Sequence, residues 1–188
     1  MNKALTEQEL FEETIEQKYY FQGRVFSASV KTVRLSDGSI STREIIDHVG
    51  GACVVALTEQ NEVYLVRQFR IPIEQVIYEL PAGKLEPSED PLVCAQRELM
   101  EEVGITAKRW QKLQTILPSP GYLNEKLHIY LARDLQLGEA APDEGEFVLT
   151  DKRPLPEWLT KIASGEICDA KTIIGLLLTN QLLQEEEK

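Results

Sequence analysis

Residues Gly83 to Ile105 read GKLEPSEDPLVCAQRELMEEVGI, and most of that stretch predicts a single helix with a marked start and stop. Asp90 can cap the N-terminus, and Pro91 then falls at the first helical position, where its missing N–H costs nothing. Gly104 supplies the left-handed residue that ends the helix. Leu92, Ala95, Leu99 and Val103 recur at helical spacing and form one apolar stripe. Glu98 and Glu102 lie together on one flank of the stripe, and Glu101 is one step further out. The two flanking carboxylates therefore sit a turn apart at the boundary between core and solvent.

Like charges at i, i+4 repel by roughly 0.2–0.5 kcal/mol per pair, and partial burial makes this worse. Two readings are open. One is a solvated acidic face, the usual meaning of a charge run. The other is a site for a divalent cation, because hard cations take carboxylate oxygens and then become the largest charge present.

The spacing around the helix bears on this choice. Gly83, five residues, Glu89, seven residues, Arg97-Glu98, an aliphatic, any residue, Glu101-Glu102, any residue, Gly104 and an aliphatic together resemble the Nudix hydrolase signature at every fixed position. At about 7% usage for a common residue, seven fixed identities coincide on the order of once in 10⁸ starting points. The resemblance implies a loop–helix–loop that binds a divalent metal, Mg²⁺ or Mn²⁺. It also implies hydrolysis of a nucleoside diphosphate linked to another group.

A chain of 188 residues fits one medium domain, or a domain with a small appendage, and can bury a core without staples. The net charge of −11 argues against sequence-independent nucleic-acid binding, which depends on basic surface. It also means that a polyanionic substrate needs local help from metal, Arg or Lys. Cys53, Cys94 and Cys168 are odd in number and widely spaced, a pattern that suits a reducing cytosol and not a disulfide framework or zinc site. Charged residues interrupt positions 1–20, and Ile173 to Leu178 is too short to span a bilayer. The expectation is a cytoplasmic protein with neither a membrane nor a nucleic-acid partner.

Along the chain, Thr6-Glu7-Gln8-Glu9 is a capping-box pattern before Leu10, Phe11 and Ile15, compatible with a short helix or a frayed terminus. From Tyr19 the texture becomes β, and Asp37-Gly38 marks a hairpin, predicting a small antiparallel sheet over 20–48. Gly50-Gly51 punctuates the chain, which suggests an N-terminal β segment over 1–48 and a main domain over 49–188. Ala52–Leu57, Val63–Phe69, Val76–Leu80, Lys112–Leu117, Leu127–Ala132 and Phe147–Leu149 read as strands. Leu155–Ala163 and Asp169–Leu183 read as amphipathic helices, Asp169 being an N-cap, and Glu185 to Lys188 as a fraying tail. Strands interleaved with helices predict an α/β protein with a mixed sheet covered on both faces. Similarity to Nudix proteins specifies this as an α/β/α sandwich preceded by the N-terminal segment.

Hydrolysis of a pyrophosphate needs an activated water, neutralised phosphoryl charge and positioning. On the signature, Glu98 and Glu102 are expected as metal ligands, with Glu101 a third and the Ala82 carbonyl also facing the metal. Arg97 is expected to orient carboxylates by pairing with Glu89, the plain alternative being a surface ion pair worth at most about 1 kcal/mol. Outside the signature the chain is similar to the ADP-ribose pyrophosphatase branch. Ser119-Pro120-Gly121 stands 15 residues past Ile105 at its proline and is followed by Glu125, and Gln68-Phe69-Arg70 precedes the signature where the branch has a phosphate-binding arginine. Phe21-Gln22-Gly23 and Thr42-Arg43-Glu44 resemble its dimerisation region. The resemblance implies substrate contacts from Phe21, Arg43, Glu44, Arg70, Ser119, Pro120, Gly121 and Glu125, and a homodimer with shared active sites. Against these stand plainer readings: a tight turn at 119–121, a sheet-edge cation at Arg70 and core packing for Phe21. Glu144-Gly145-Glu146 fits the E-x-E pattern of related enzymes, with Glu144 as general base and Glu146 as an extra metal ligand; a solvated acidic loop is the competitor. His48 and His128 are isolated.

The leading expectation is an enzyme that converts ADP-ribose and water to AMP and ribose 5-phosphate. Hydrolysis of another nucleoside diphosphate sugar or a dinucleotide is the first alternative, and a non-catalytic ligand-sensing module is the second. Non-catalytic versions usually lose a signature glutamate, and none is lost here.

Overall fold

Ala52 to Leu57 is an unbroken apolar run, and in the computed structural model it is the centre of a sheet, fully buried from Gly51 to Leu57. The structure describes residues 6–141, 145 and 147–188. The chain falls into two compact units, Met1–Val49 with Ser119–Glu125, and Gly50–Pro118 with Lys126–Lys188.

The first unit opens with a 3₁₀ turn at Glu7–Leu10, where the Thr6 N–H and hydroxyl both donate to Glu9 Oε2, at 2.8 and 2.7 Å. Three antiparallel strands follow, β1 (Glu13–Gln22), β2 (Phe26–Arg34) and β3 (Ile40–His48). The β2–β3 hairpin turns at Asp37-Gly38 as expected, with Gly38 at φ 85° and the Ser39 N–H on Asp37 Oδ1 at 2.9 Å. The first strand begins at Glu13 and not near Tyr19, so Ile15 belongs to a strand; the capping box supports one turn only. Ser119–Glu125 joins this unit through a parallel bridge between Ile46 and Leu123 and through Asn124, whose side chain bonds the His48 N–H and Asp47. Residues so far apart carry no local mark of this join, which a single cut near Val49 does not contain.

The second unit holds β4 (Gly51–Leu57), β5 (Glu62–Arg70), β6 (Gln75–Glu79), β7 (Ala82–Lys84), α1 (Pro91–Val103), β8 (Ile105–Ile116), β9 (Leu127–Leu137), β10 (Leu149–Pro154), α2 (Leu155–Ala163) and α3 (Ala170–Glu186). The strands order as β10-β5-β4-β9-β8, with β6 on β5, β7 on β4, and β4 parallel to β9. Strand alternation sends Cys53, Val55 and Leu57 into one core with Trp158 and Leu176 from α2 and α3. It sends Ala52, Val54 and Ala56 into a second core with Cys94, Ala95 and Leu99 from α1. This is the expected α/β/α arrangement: the central strand reads as continuously apolar because helices cover both its faces. At Gly175 a Cβ would lie 2.7 Å from Leu80 Cδ1, so the glycine lets α3 dock closely.

One edge of β4 is divided. Ala56 and Leu57 pair with β5, whereas Gly51 to Cys53 pair with β7. That division brings the short Ala82–Lys84 strand under α1. Two strands extend beyond the expected spans, since β8 starts directly at Ile105 and β9 runs to Leu137. The last strand lies at Leu149–Pro154 and not at Phe147–Leu149; it is a charged edge strand, a composition that guards edges and hides their pattern. The terminal helix continues to Glu186, past the point where fraying was expected. Among the described residues no helix is long and apolar enough to cross a membrane.

Candidate active site

Helix α1 begins and ends as its sequence dictates. Asp90 Oδ1 accepts from the Leu92 N–H at 2.8 Å, and Gly104 adopts φ 71°. Ala95 and Leu99 are fully buried, and Cys94 joins them, its thiol pushed up to about 12, chiefly by burial. Glu98 and Glu102 are only 8% and 6% exposed. Two carboxylates one turn apart are thus in the protein interior and not on a solvated face.

Each has a defined neighbour on β7. Glu102 Oε2 accepts the Ala82 N–H at 2.9 Å. Glu98 crosses directly over Gly83, where an added Cβ would lie 1.7 Å from Glu98 Oε1. A side chain at position 83 would displace the Glu98 carboxylate.

Arg97 ties these acids together. Its Nη1 donates to Glu98 Oε1 at 2.7 Å and to Glu101 Oε2 at 2.9 Å. Its Nε and Nη2 fork onto Glu89 at 3.0 and 3.2 Å, and Nη2 also reaches the Lys84 carbonyl at 3.3 Å. The hydrogen bonds from Arg97 hold the Glu89 carboxyl below its ordinary value, against the opposing effect of burial. Hydrogen bonding to Glu89 likewise holds Arg97 above its own.

Three acids around one guanidinium, with Glu102 beside them, leave an excess of hard oxygen donors next to the Gly83 backbone, which Glu98 crosses closely. That chemistry suits a divalent cation. No group of three or more acidic, His or Cys side chains among the described residues converges as an ion site. Glu98 and Glu102 are the buried acids that could hold such an ion, and Arg97 engages both Glu98 and Glu101.

A second polar cluster lies at β6, and the sequence reading missed it. Glu79, which ends β6 after Val76, Ile77 and Tyr78, has a side chain only 3% exposed. It accepts from Arg70 Nε at 2.5 Å and Nη2 at 2.9 Å, and from Lys171 Nζ. Lys171 also pairs with Asp169 at 3.1 Å. Burial pushes the Glu79 carboxyl up, but the Arg70 hydrogen bonds and the Lys171 charge prevail and hold it below its ordinary value. An acid directly after Val76, Ile77 and Tyr78 was the available signal; its lysine partner, 92 residues away, left none.

Phe21, Arg43, Glu44, Ser119, Pro120, Gly121 and Glu125 belong to the first unit. Phe21 is half exposed and tilts against Phe26 at 5.2 Å, so it is not in a core. Arg43 donates to Glu12 at 2.5 Å and to Ser41 Oγ at 2.9 Å. Glu44 lines a cavity of about 440 Å³ together with Tyr20, Ser29, Ile46 and Tyr122. The turn at Ser119, Pro120 and Gly121 is closed by the Tyr122 and Leu123 N–H groups on the Ser119 carbonyl, at 3.2 and 3.0 Å. Glu125 lies 3.3 Å from His48 Nδ1. Glu144 and Glu146 lie outside the described residues.

Comparison with known proteins bears on the family and the fold. The chain is 41% identical over 180 residues to an ADP-ribose pyrophosphatase of Bacillus subtilis, spanning 95% of each chain. It is 42% identical over 181 residues to a methanol dehydrogenase activator of Bacillus methanolicus, spanning 95% of this chain and 96% of that one. A solved ADP compounds hydrolase shares the fold at a TM-score of 0.84 and 21% identity, over 98% of both chains. The family model for the NUDIX domain matches residues 47–164, which include the Gly83 cradle, the Arg97 hub and both buried glutamates: the chain belongs to the Nudix family.

Proposed function

We propose that the chain hydrolyses the pyrophosphate bond of ADP-ribose to AMP and ribose 5-phosphate, using Mg²⁺ or Mn²⁺. The observation that carries this reading is the pair of buried carboxylates, Glu98 and Glu102, fixed against Gly83 and Ala82. The name of the Bacillus subtilis relative supports the choice of substrate.

Glu98 and Glu102 would hold the cation, with the Ala82 carbonyl and Glu101 as further donors. Bound there, the cation supplies neutralisation of phosphoryl charge and acidification of water. Arg97 holds Glu98 and Glu101 in register, so the carboxylates do not reorganise when substrate arrives. Arg70 binds a phosphate oxygen. Glu144 takes the proton of the attacking water as the P–O bond to the bridging oxygen breaks, and Glu146 assists at the metal. Phe21, Arg43, Glu44, Ser119, Pro120, Gly121 and Glu125 are the proposed contacts to the rest of the substrate.

A homodimer is part of the proposal, supported by β1, which is exposed along all ten residues and presents Ile15, Tyr19, Tyr20 and Phe21. Sedimentation equilibrium tests this directly, and a fully active monomer at micromolar concentration overturns it. A cytoplasmic setting is supported by the free thiols of Cys53, Cys94 and Cys168.

The relative named as a dehydrogenase activator favours a second reading, in which the chain acts on a partner oxidoreductase. A panel of ADP-ribose, other nucleoside diphosphate sugars and dinucleotides, assayed with Mg²⁺ and no other protein, separates the two. Release of AMP and ribose 5-phosphate from ADP-ribose is the expected result. No phosphate monoester from any member of the panel would overturn the hydrolase reading.

A further inference from the structure

We infer that Glu79 and Lys171 are positioning residues that set Arg70 as the cation for a pyrophosphate oxygen. This rests on the reading of Arg70 as a phosphate contact given above.

The first ground is an imbalance of burial. The Arg70 side chain is 42% exposed, yet the acid that holds it is 3% exposed and that acid's second partner, Lys171, is 11% exposed. A half-exposed arginine needs no such partner for stability, since surface ion pairs contribute about 0–1 kcal/mol. Burying charges is costly and seldom the best way to stabilise a fold. What a buried two-point contact gives is direction. Glu79 engages Nε and one N–H of Nη2, the side of the guanidinium facing the protein. The other three of the five N–H groups that an arginine carries are left on the outer edge, where a planar fork suits a phosphate.

The second ground is charge. Arg70 and Lys171 balance Glu79 and Asp169, two against two. Without Lys171 the cluster would present a net negative charge to a polyanion, and Glu79 would be a buried acid with a single partner. Lys171 thus permits Glu79 to remain ionised and in place.

The third ground is that the cluster is rigid and near the site. Thr172 Oγ1 accepts the Leu80 N–H at 2.7 Å and donates to Asp169 Oδ2 at 2.6 Å, clipping the start of α3 to the residue after Glu79. Gly175 brings the same helix close to Leu80, one turn further on. Ala82 and Gly83 follow Glu79 by three and four residues. Arg70 itself lies on β5, paired along β6 with Gln75 opposite it, so the cluster and the β7 cradle are joined by one short stretch of chain.

Steady-state kinetics on ADP-ribose and calorimetric binding of its α,β-methylene analogue test the inference, with Arg70→Ala as reference. Lys171→Met is expected to raise KM and weaken analogue binding about tenfold, with kcat changed by less than about threefold. Lys171→Arg should restore both, and Lys171→Met should add nothing in the Arg70→Ala background, because Lys171 acts through Arg70. Arg70→Lys, an exposed substitution that leaves the buried partners intact, should resemble Arg70→Ala because a lysine cannot make the two-point contact. If Arg70→Ala raises KM but Lys171→Met or Arg70→Lys does not, the inference is overturned. If Arg70→Ala leaves KM and analogue binding unchanged, the reading of Arg70 itself fails.

Discussion

Gly83→Ala isolates one contact at the proposed active site. The new Cβ would lie 1.7 Å from Glu98 Oε1 and 2.0 Å from Cδ. The carboxylate must retreat by about 1.7 Å to regain an ordinary contact of 3.4 Å. Gly83 is not among the positive-φ residues, so alanine brings no backbone strain. Overpacking costs about 1–3 kcal/mol and the stiffer unfolded chain returns about 0.4–1 kcal/mol, for a net loss centred on about 1.3 kcal/mol. For a chain of this size that lowers Tm by about 3–5 °C. Activity should suffer more, because misplacing a reacting constellation by about 1 Å can cost 10²-fold. We expect kcat/KM on ADP-ribose to fall about 10²-fold in a folded protein. In a Glu98→Ala background the obstacle is gone, so Gly83→Ala should no longer lower Tm. Wild-type kcat/KM in Gly83→Ala would refute the reasoning, as would a Tm loss that persists in the double variant.

Glu98→Gln and Glu102→Gln should each lower kcat/KM by about 10²-fold or more with circular dichroism unchanged; excess chelator should abolish wild-type activity, and full turnover in chelator rejects the metal. Glu144→Gln should lower kcat with little change in KM, as for a general base; if Glu146→Gln does so and Glu144→Gln does not, the two roles are exchanged. The Glu79 carboxyl is held below its ordinary value of 4.5, so the unfolded chain binds the extra proton first on acidification. Its contribution to stability is full above pH 4.5 and is lost as pH falls through the folded value. Urea midpoints across this range should decline less steeply in Glu79→Gln than in wild type, and parallel curves would remove Glu79 from the account.

The parts of the fold that were legible in advance are those whose causes are local. Asp90, Pro91 and Gly104 bound α1 by capping chemistry confined to the helix ends. The β4 run is apolar because it is covered on both faces. The spans that were missed have surfaces that obey other demands. β1 is exposed throughout, β8 exposes Lys108, Arg109 and Lys112, and β10 is a charged edge. At the site, Glu98, Glu101 and Glu102 were legible from helical phase, and Arg97–Glu89 from the signature. The Glu98–Gly83 approach and the Glu79–Lys171 pair depend on how α1 and α3 dock, which no spacing encodes.

The charge pattern also explains how an acidic chain can take a polyanion. Each cation at the candidate site is already matched: Arg97 by Glu89, Glu98 and Glu101, Arg70 by Glu79, and Lys171 by Glu79 and Asp169. Added to a net charge of −11, this means the protein alone offers a pyrophosphate little long-range attraction. The two arginines then differ: all five Arg97 N–H groups are taken up by Glu89, Glu98, Glu101 and the Lys84 carbonyl, so it fixes acids, whereas Arg70 keeps the N–H groups that Glu79 does not engage. Under the proposed function the favourable charge would arrive with the substrate, as a cation shared between phosphoryl oxygens and the Glu98–Glu102 pair. On this view the acidic surroundings are a selectivity device: a pyrophosphate without its cation is repelled, and one carrying it meets the N–H groups that Arg70 keeps.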